Sequence, residues 1–144
     1  MGNIRQISVF LENRAGALSQ ITNLLADSGI NLRALSIADS ADYGVLRILA
    51  DDTDRAVEAL EKVGCAYSVT PVSVVAVKDE PAGLSRVLHL LAEEGVDIAY
   101  LYSLFTHRDG KAYMVFRLKD EKGFRQVIEE HHMTLATPEE LELK

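Results

Sequence analysis

An α+β fold of two tandem βαββαβ units is predicted by three observations. The chain repeats itself: at a shift of 66 residues, Leu18 to Leu35 lies over Leu84 to Leu101 without a gap, with Leu18, Ser19, Leu24, Leu25, Ala26, Gly29 and Leu35 identical. Each repeat passes through strand-period and helix-period stretches in the same order. Val69-Thr70-Pro71-Val72 carries one repeat into the next with no linker. A duplication also doubles any site the unit carries, and the copies meet about an approximate two-fold axis.

In the first copy, Ile7, Val9 and Leu11 alternate with Ser8, Phe10 and Glu12, a period-two strand. Glu12-Asn13-Arg14-Ala15-Gly16 breaks the pattern. Leu18, Ile21, Leu24 and Leu25 then recur at helical spacing, and Gly29 stands where a helix stops. Leu32 to Ala38 reads as a second strand, Asp39 to Gly44 as a turn, and Val45 to Ala50 as a third strand. Asp51-Asp52-Thr53-Asp54 offers N-caps and early negative charge to a second helix carrying Ala56, Val57 and Leu60 and ended by Gly64. Cys65 to Thr70 is the fourth strand. This order is the ferredoxin-like unit, a four-stranded antiparallel sheet with both helices on one face. The opposite face needs a cover.

The second copy repeats the order. Val72 to Val77 is a strand, with Pro71 expected at a strand start or edge. Leu84, Val87, Leu88 and Leu91 form a helix ended by Gly95. Ile98 to Phe105 and Tyr113 to Leu118 are strands around a hairpin at His107 to Lys111, two residues longer than its counterpart. Phe124, Val127 and Ile128 mark a helix, Met133 to Leu135 a short strand, and Thr137-Pro138-Glu139-Glu140 a capped helical turn. The two units are therefore residues 1–70 and 71–144.

A half of this size alone would bury only about 60% of its unfolded surface. The halves are expected to lean on each other, on a second chain in a homodimer, or both. A net charge of −7 argues against nucleic acid or an anionic membrane, which need a basic footprint. No apolar run reaches the roughly 18 residues a membrane span requires. Met1 to Gln6 lacks a secretory apolar core, so the cytoplasm is the expected location. One cysteine, Cys65, allows no intrachain disulfide, which fits a reducing compartment, and it reads as a small strand residue beside a turn.

No Gly-rich phosphate loop, nucleophile elbow or metal-spaced Cys/His set is present, so neither catalysis nor a cofactor is expected. His131 and His132 are adjacent and diverge, so a metal site joining them with Cys65 or His107 is set aside for a polar helix end. His89 and His107 read as surface residues. The carboxylate runs at Asp51 to Asp54 and at Glu139-Glu140 read as caps or solvated faces.

The loop after the first strand of each copy differs in kind. Glu12 to Leu18 and Lys78 to Leu84 each feed a helix N-terminus, where unpaired N–H groups can hold a carboxylate. Gly16 or Gly83 either lets a ligand approach the backbone or serves the strand-to-helix turn alone. Asn31 follows Asn13 by eighteen residues and Asp97 follows Asp79 by the same interval. The start of the second strand is expected beside the loop after the first. An Asn amide donates to a carboxylate and accepts from an ammonium, so an Asn pair suits a zwitterion. Asn31 and Asp97 also have a plainer reading, as turn residues after a helix-ending glycine.

At these residues the chain resembles the ACT domain family of small ligand-binding regulatory modules. The family's loop runs roughly Asp/Asn-x-Pro-Gly-x-Leu, followed by an apolar helix and Gly-Val/Ile-Asn-Ile. Copy one matches with Asn13-Arg14-Ala15-Gly16-Ala17-Leu18 and Gly29-Ile30-Asn31-Leu32, and copy two with Asp79-Glu80-Pro81-Ala82-Gly83-Leu84 and Gly95-Val96-Asp97-Ile98. Arg33 to Asp39 and Tyr100-Leu101-Tyr102-Ser103 are similar to phrases of stand-alone tandem ACT proteins. The resemblance implies amino-acid binding at interfaces between paired units. In the serine-sensing ACT domains of phosphoglycerate dehydrogenases, Asn residues matching Asn13 and Asn31 contact the ligand. The implied site residues are Asn13, Arg14, Ala15, Gly16, Ala17, Leu18 and Asn31 in copy one, and Asp79, Pro81, Ala82, Gly83, Leu84 and Asp97 in copy two. Ala15 stands where the family has Pro, Ala82 where it has Gly, and Asp79 and Asp97 where it has Asn. Copy two is therefore expected to be altered, differently occupied or empty.

The expectation is a non-catalytic regulatory protein binding an amino acid between paired units and acting on a separate enzyme. The alternative is a module that regulates an enzyme by docking, without a metabolite.

Overall fold

Where the repeats join there is one continuous strand. The computed structural model describes residues 4–39 and 42–144. In order it holds β1 (Ile4–Glu12), α1 (Ala17–Asp27), β2 (Leu32–Asp39), β3 (Tyr43–Ala50), α2 (Thr53–Lys62) and β4 (Tyr67–Lys78). It continues with α3 (Gly83–Glu93), β5 (Ile98–Arg108), β6 (Lys111–Leu118), α4 (Glu121–Glu130) and β7 (Thr134–Leu135). Two strands were expected on either side of Pro71. They are fused in β4, and the boundary drawn between residues 70 and 71 falls inside it. Tyr67 to Val72 pairs with β1, and Ser73 to Lys78 pairs with β6. Pro71 therefore lies mid-strand and not at a strand start, but it does lie at an edge, since Tyr67 to Val72 pairs on one side only, with β1.

The pairings correct a second expectation. In place of two separate sheets, the strands form one sheet in the order β1-β3-β2-β5-β6-β4-β7, and β1 also pairs with β4. Six strands thus close into a ring. Within the ring, β4-β1-β3-β2 and β7-β4-β6-β5 are compatible with the βαββαβ arrangement expected of each copy. The two copies touch at β4 and, on the other side, at β2 and β5, which pair at Ala34↔Leu104 among the described residues.

Closure answers what covers the face of each sheet that carries no helix. Alternate residues of each strand point to opposite sides. Ile7, Val9, Leu46 and Ile48 pack outward against α1 and α2 with Ile21, Leu25 and Leu60. Val75, Val77, Phe116 and Leu118 do the same against α3 and α4 with Leu91, Phe124 and Ile128. The inward side is a third core built from both copies, including Ile4, Leu49, Val72, Val74, Leu104 and Val115. Each half supplies the other's cover.

Local sequence explains the details. The β5–β6 hairpin is tighter than expected: Arg108 pairs with Lys111, and Asp109 and Gly110 have φ of 54° and 71°. A two-residue Asp-Gly loop with both residues left-handed matches the twist of the strands it joins, so β5 extends to Arg108. The expected turn at Thr137 forms. Thr137 Oγ1 accepts from the Glu140 N–H at 3.2 Å, the N-cap half of a capping box, and its hydroxyl donates to Glu140 Oε1 at 3.3 Å. It brings Leu141 down onto the central core with Ala136. Ser40 and Ala41 of the predicted first turn, and Met1 to Asn3, lie outside the described residues.

Candidate functional site

Among the described residues, four helices begin in two different ways. Asp52 caps α2 by accepting from the Arg55 N–H, and Asp120 caps α4 by accepting from the Gly123 N–H. The residues before α1 and α3, Gly16 and Ala82, are left-handed and give no side-chain cap. The uncapped starts are the two loops singled out in the sequence. The Ala17 and Gly83 N–H groups donate to the Arg14 and Glu80 carbonyls, and the next N–H groups, of Leu18-Ser19 and Leu84-Ser85, are left as donors for an anion.

The glycines now separate by role. Gly16 has φ of 86°, and its repeat partner Ala82 holds the same region at 67°. Gly83 does not replace the glycine missing at 82. A Cβ on Gly83 would fall 2.0 Å from the Lys78 carbonyl oxygen, so this glycine is required by close backbone approach.

In copy one, Asn13 Nδ2 donates to Asp39 Oδ1 at 2.8 Å. Arg14 is held by Glu12 at 3.0 Å and Gln20 at 2.8 Å, beside exposed Ala15. Ala17 is buried, and half-buried Leu18 packs on the outer core. In copy two, Asp79 Oδ2 lies 3.0 Å from His107 Nδ1, and Pro81 is exposed. Buried Gly83 and half-buried Leu84 follow.

Asn13 and Asn31 do not meet within copy one. β1 and β2 both pair antiparallel to β3 and so run parallel. The loop after β1 therefore sits by the end of β2, and Asn31 lies at the other end of the sheet, about 25 Å of strand away. There the Asn31 N–H donates to Asp51 Oδ1 at 3.0 Å. Asp97 is placed alike in copy two, its carbonyl accepting from the Lys119 N–H.

The seam between copies crosses these ends. With Ala34 opposite Leu104 in antiparallel register, Asn31 runs toward the end that holds His107 and Asp79. Asp97 runs toward the end that holds Asp39 and Asn13. Each copy's loop is thereby matched with the strand start of the other copy.

The sequence reading missed a polar cluster inside the ring. Gln6 is fully buried; its Nε2 donates to the Tyr100 hydroxyl at 2.6 Å, and its Oε1 accepts from the Tyr102 hydroxyl at 2.6 Å. The Arg47 guanidinium lies 3.8 Å over the Tyr100 ring. Burial, and next the neighbouring Tyr100, push the Tyr102 phenol well above its ordinary pKa, keeping it a neutral donor. The available signal was a glutamine at an inward strand position two residues from Ile4. Among the described residues, no group of His, Cys, Asp or Glu is arranged to hold a metal ion, and no helix is long and apolar enough to cross a membrane.

Comparison with known proteins agrees with this architecture. The structure of protein BT0572 from Bacteroides thetaiotaomicron shares 36% identity, covering 96% of this chain and 95% of that one, with a TM-score of 0.87. The ligand-free regulatory subunit of aspartate kinase from Thermus thermophilus has a TM-score of 0.63 at 15% identity, covering 90% and 95% of the two chains. The corresponding subunit from Thermus flavus has a TM-score of 0.58 at 18% identity, covering 88% and 92%. These last two likenesses are of fold. No curated protein matches the chain. Residues 2–143 match the family described as the ACT domain pair, and the chain belongs to that family.

Proposed function

We propose that this protein is a non-catalytic regulator that binds an amino acid where ACT units meet. The observation that carries the reading is the pair of uncapped helix starts, α1 and α3, in a chain whose other two helices are capped by aspartates. An amino acid's carboxylate would meet the N–H groups that follow Gly16. Asn13 would meet the ammonium or carboxylate from the same loop. Arg14, Ala15, Ala17 and Leu18 shape that loop. Asn31 would act on the opposite side of a seam, completing a site whose loop comes from another unit. Asp79, Pro81, Ala82, Gly83, Leu84 and Asp97 form the matching but more acidic set.

Binding across a seam biases how two units sit, and that bias is what a separate enzyme would read. A cytoplasmic homodimer, with residues 1–70 and 71–144 as its repeated units, completes the proposal. Docking to an enzyme without a metabolite is the second reading. Exposed Phe10, Ile37 and Tyr43 near the Asn13 end of the sheet favour it.

Thermal unfolding in the presence of each proteinogenic amino acid tests the first reading. A ligand at a hundred times its Kd stabilises by about 2.7 kcal/mol, a shift on the order of 5 °C. A shift abolished by Asn13→Ala is the expected result. No shift with any amino acid would turn the case toward docking.

A further inference from the structure

The two ends of the ring are finished differently. At the copy-two end, Tyr102, Leu104 and Tyr113 point inward and are buried, and Leu141 of the C-terminal turn belongs to the same cluster. The repeat places Ser36, Ala38 and Val45 at the matching inward positions of copy one. All three are smaller. Ser36 and Val45 are partly exposed and Ala38 is exposed. Phe10 is larger than its counterpart Ala76, but it stands 44% exposed beside Val45. Among the described residues, then, the copy-one end is left as a hollow open to solvent.

One row of facing residues crosses this hollow. Ser68 pairs with Ser8, Ser8 with Arg47, and Arg47 with Ser36. Cross-strand partners share a face of the sheet. That face is the inward one, because Gln6, two residues from Ser8, bonds to Tyr100 and Tyr102 inside the ring. The same row in copy two is Ala136, Val74, Val115 and Tyr102, all of them in the central core. A cation and three hydroxyls thus stand where the other copy packs its interior.

The cation is unmatched. The Arg47 guanidinium lies 3.8 Å over the Tyr100 ring, and its buried Nε has no hydrogen-bond partner. No residue of the row is acidic, and neither is any of the inward neighbours Gln6, Thr70, Leu49, Phe10, Val45 and Ala38. A buried donor left unpaired is costly, and native proteins keep few of them.

These surroundings select a ligand. A guanidinium offers a planar fork of donors, which a carboxylate meets with two parallel bonds, and the serine hydroxyls can donate beside it. An ammonium would lie next to the guanidinium with no carboxylate to receive it, which disfavours an amino acid here. One row nearer the mouth, Phe10 and Val45 make an apolar wall.

We propose that the copy-one end of the ring binds a carboxylic acid with an apolar body and no ammonium group, its carboxylate on Arg47 and its body against Phe10 and Val45. The site shares no residue with the amino-acid reading at Asn13 and Asn31.

Calorimetric titration of the full chain with hydrocinnamate and with isocaproate tests the proposal. Phenylalanine and leucine, the same skeletons bearing an ammonium, are the controls. One acid per chain is expected, and Arg47→Gln should weaken its binding at least about tenfold. Arg47→Val with Ser8→Val gives the row copy two's own residues and repeats the test should the first variant not fold, as judged by its thermal transition. Failure of both acids to bind the folded wild type, or binding unchanged in a folded variant, would overturn the site. An amino acid that bound as tightly as its deaminated partner, and lost that binding in Arg47→Gln, would overturn the ligand class. Loss of acid binding in Asn13→Ala would move the carboxylate to the start of α1 and overturn the placement. The amino-acid reading stands or falls separately, on the thermal shift that Asn13→Ala removes.

Discussion

Copy one and copy two have the same skeleton and different rims. Ile48 and Phe116 occupy matched, wholly buried strand positions; Asp52 and Asp120 cap matched helices; and Asp51 and Lys119 donate the same backbone bond to the carbonyls of Asn31 and Asp97. At the loops the copies part. Asn13, Gly16 and Asn31 become Asp79, Ala82 and Asp97. After a duplication, packing constrains the interior of both copies alike. Residues that touch neither core are free to take different ligands.

The comparison would break most visibly if the copies folded independently. Ile48→Ala and Phe116→Ala each empty a wholly buried site, with expected losses of about 2–5 and 3–5 kcal/mol. Since β4 and the central core belong to both copies, either variant should lower one common guanidinium transition followed by far-UV circular dichroism. Two separate transitions, one of them unmoved, would show that each copy holds together alone.

The buried cluster is a direct polar link between copies. Gln6→Ala strands the Tyr100 and Tyr102 hydroxyls inside the ring and should destabilise by about 2–4 kcal/mol. Tyr102→Phe removes one partner and should have a smaller effect, about 1–2 kcal/mol. A double-mutant cycle that combined the two additively would mean that the bond across the copies contributes nothing.

The secondary structure was legible because its signals are local. Leu18 through Leu25 declares a helix, Gly29 and Gly95 stop helices, and Asp52 sits where a cap belongs. The ring was not legible, because nothing local tells Val72 that its neighbours change from β1 to β6. Pro71 argued for a strand start or an edge, and it lies in unbroken strand that is paired on one side only. The loops were found for the right residues, but joining Asn13 to Asn31 within one sheet failed. That inference took spacing for proximity, and β3 stands between the strands. Gln6 was passed over because a single polar residue in an apolar strand gives no sign of its partner, which lies 94 residues further along.

If the amide and carboxylate sets are what distinguish the two loops, the difference can be exchanged. Asp79→Asn with Asp97→Asn gives copy two the carboxamide pair of copy one. The number of amino acids bound per chain, measured by calorimetry, should rise, with each newly filled site adding stabilisation of about 2.7 kcal/mol at a hundredfold excess over its Kd. An unchanged stoichiometry would place the discrimination elsewhere in the loop, for instance at Ala82.

The smallest expected effect sharpens the comparison at the backbone alone. Ala82 holds a left-handed φ of 67° that its counterpart meets with glycine at 86°. For an L-residue this conformation costs about 1 kcal/mol. Ala82→Gly should therefore raise the melting temperature by a few degrees at most, about 3 °C, offset in part by glycine's greater freedom in the unfolded chain. Gly16→Ala should move it the other way by a similar amount. A Cβ built there meets nothing within 4 Å, so no clash adds to the loss. Opposite signs from opposite substitutions at one repeated position would tie both shifts to the left-handed turn. A gain from both substitutions would mean that unfolded-state entropy outweighs the turn, and that the family's glycine at this position is kept for the room it leaves a ligand.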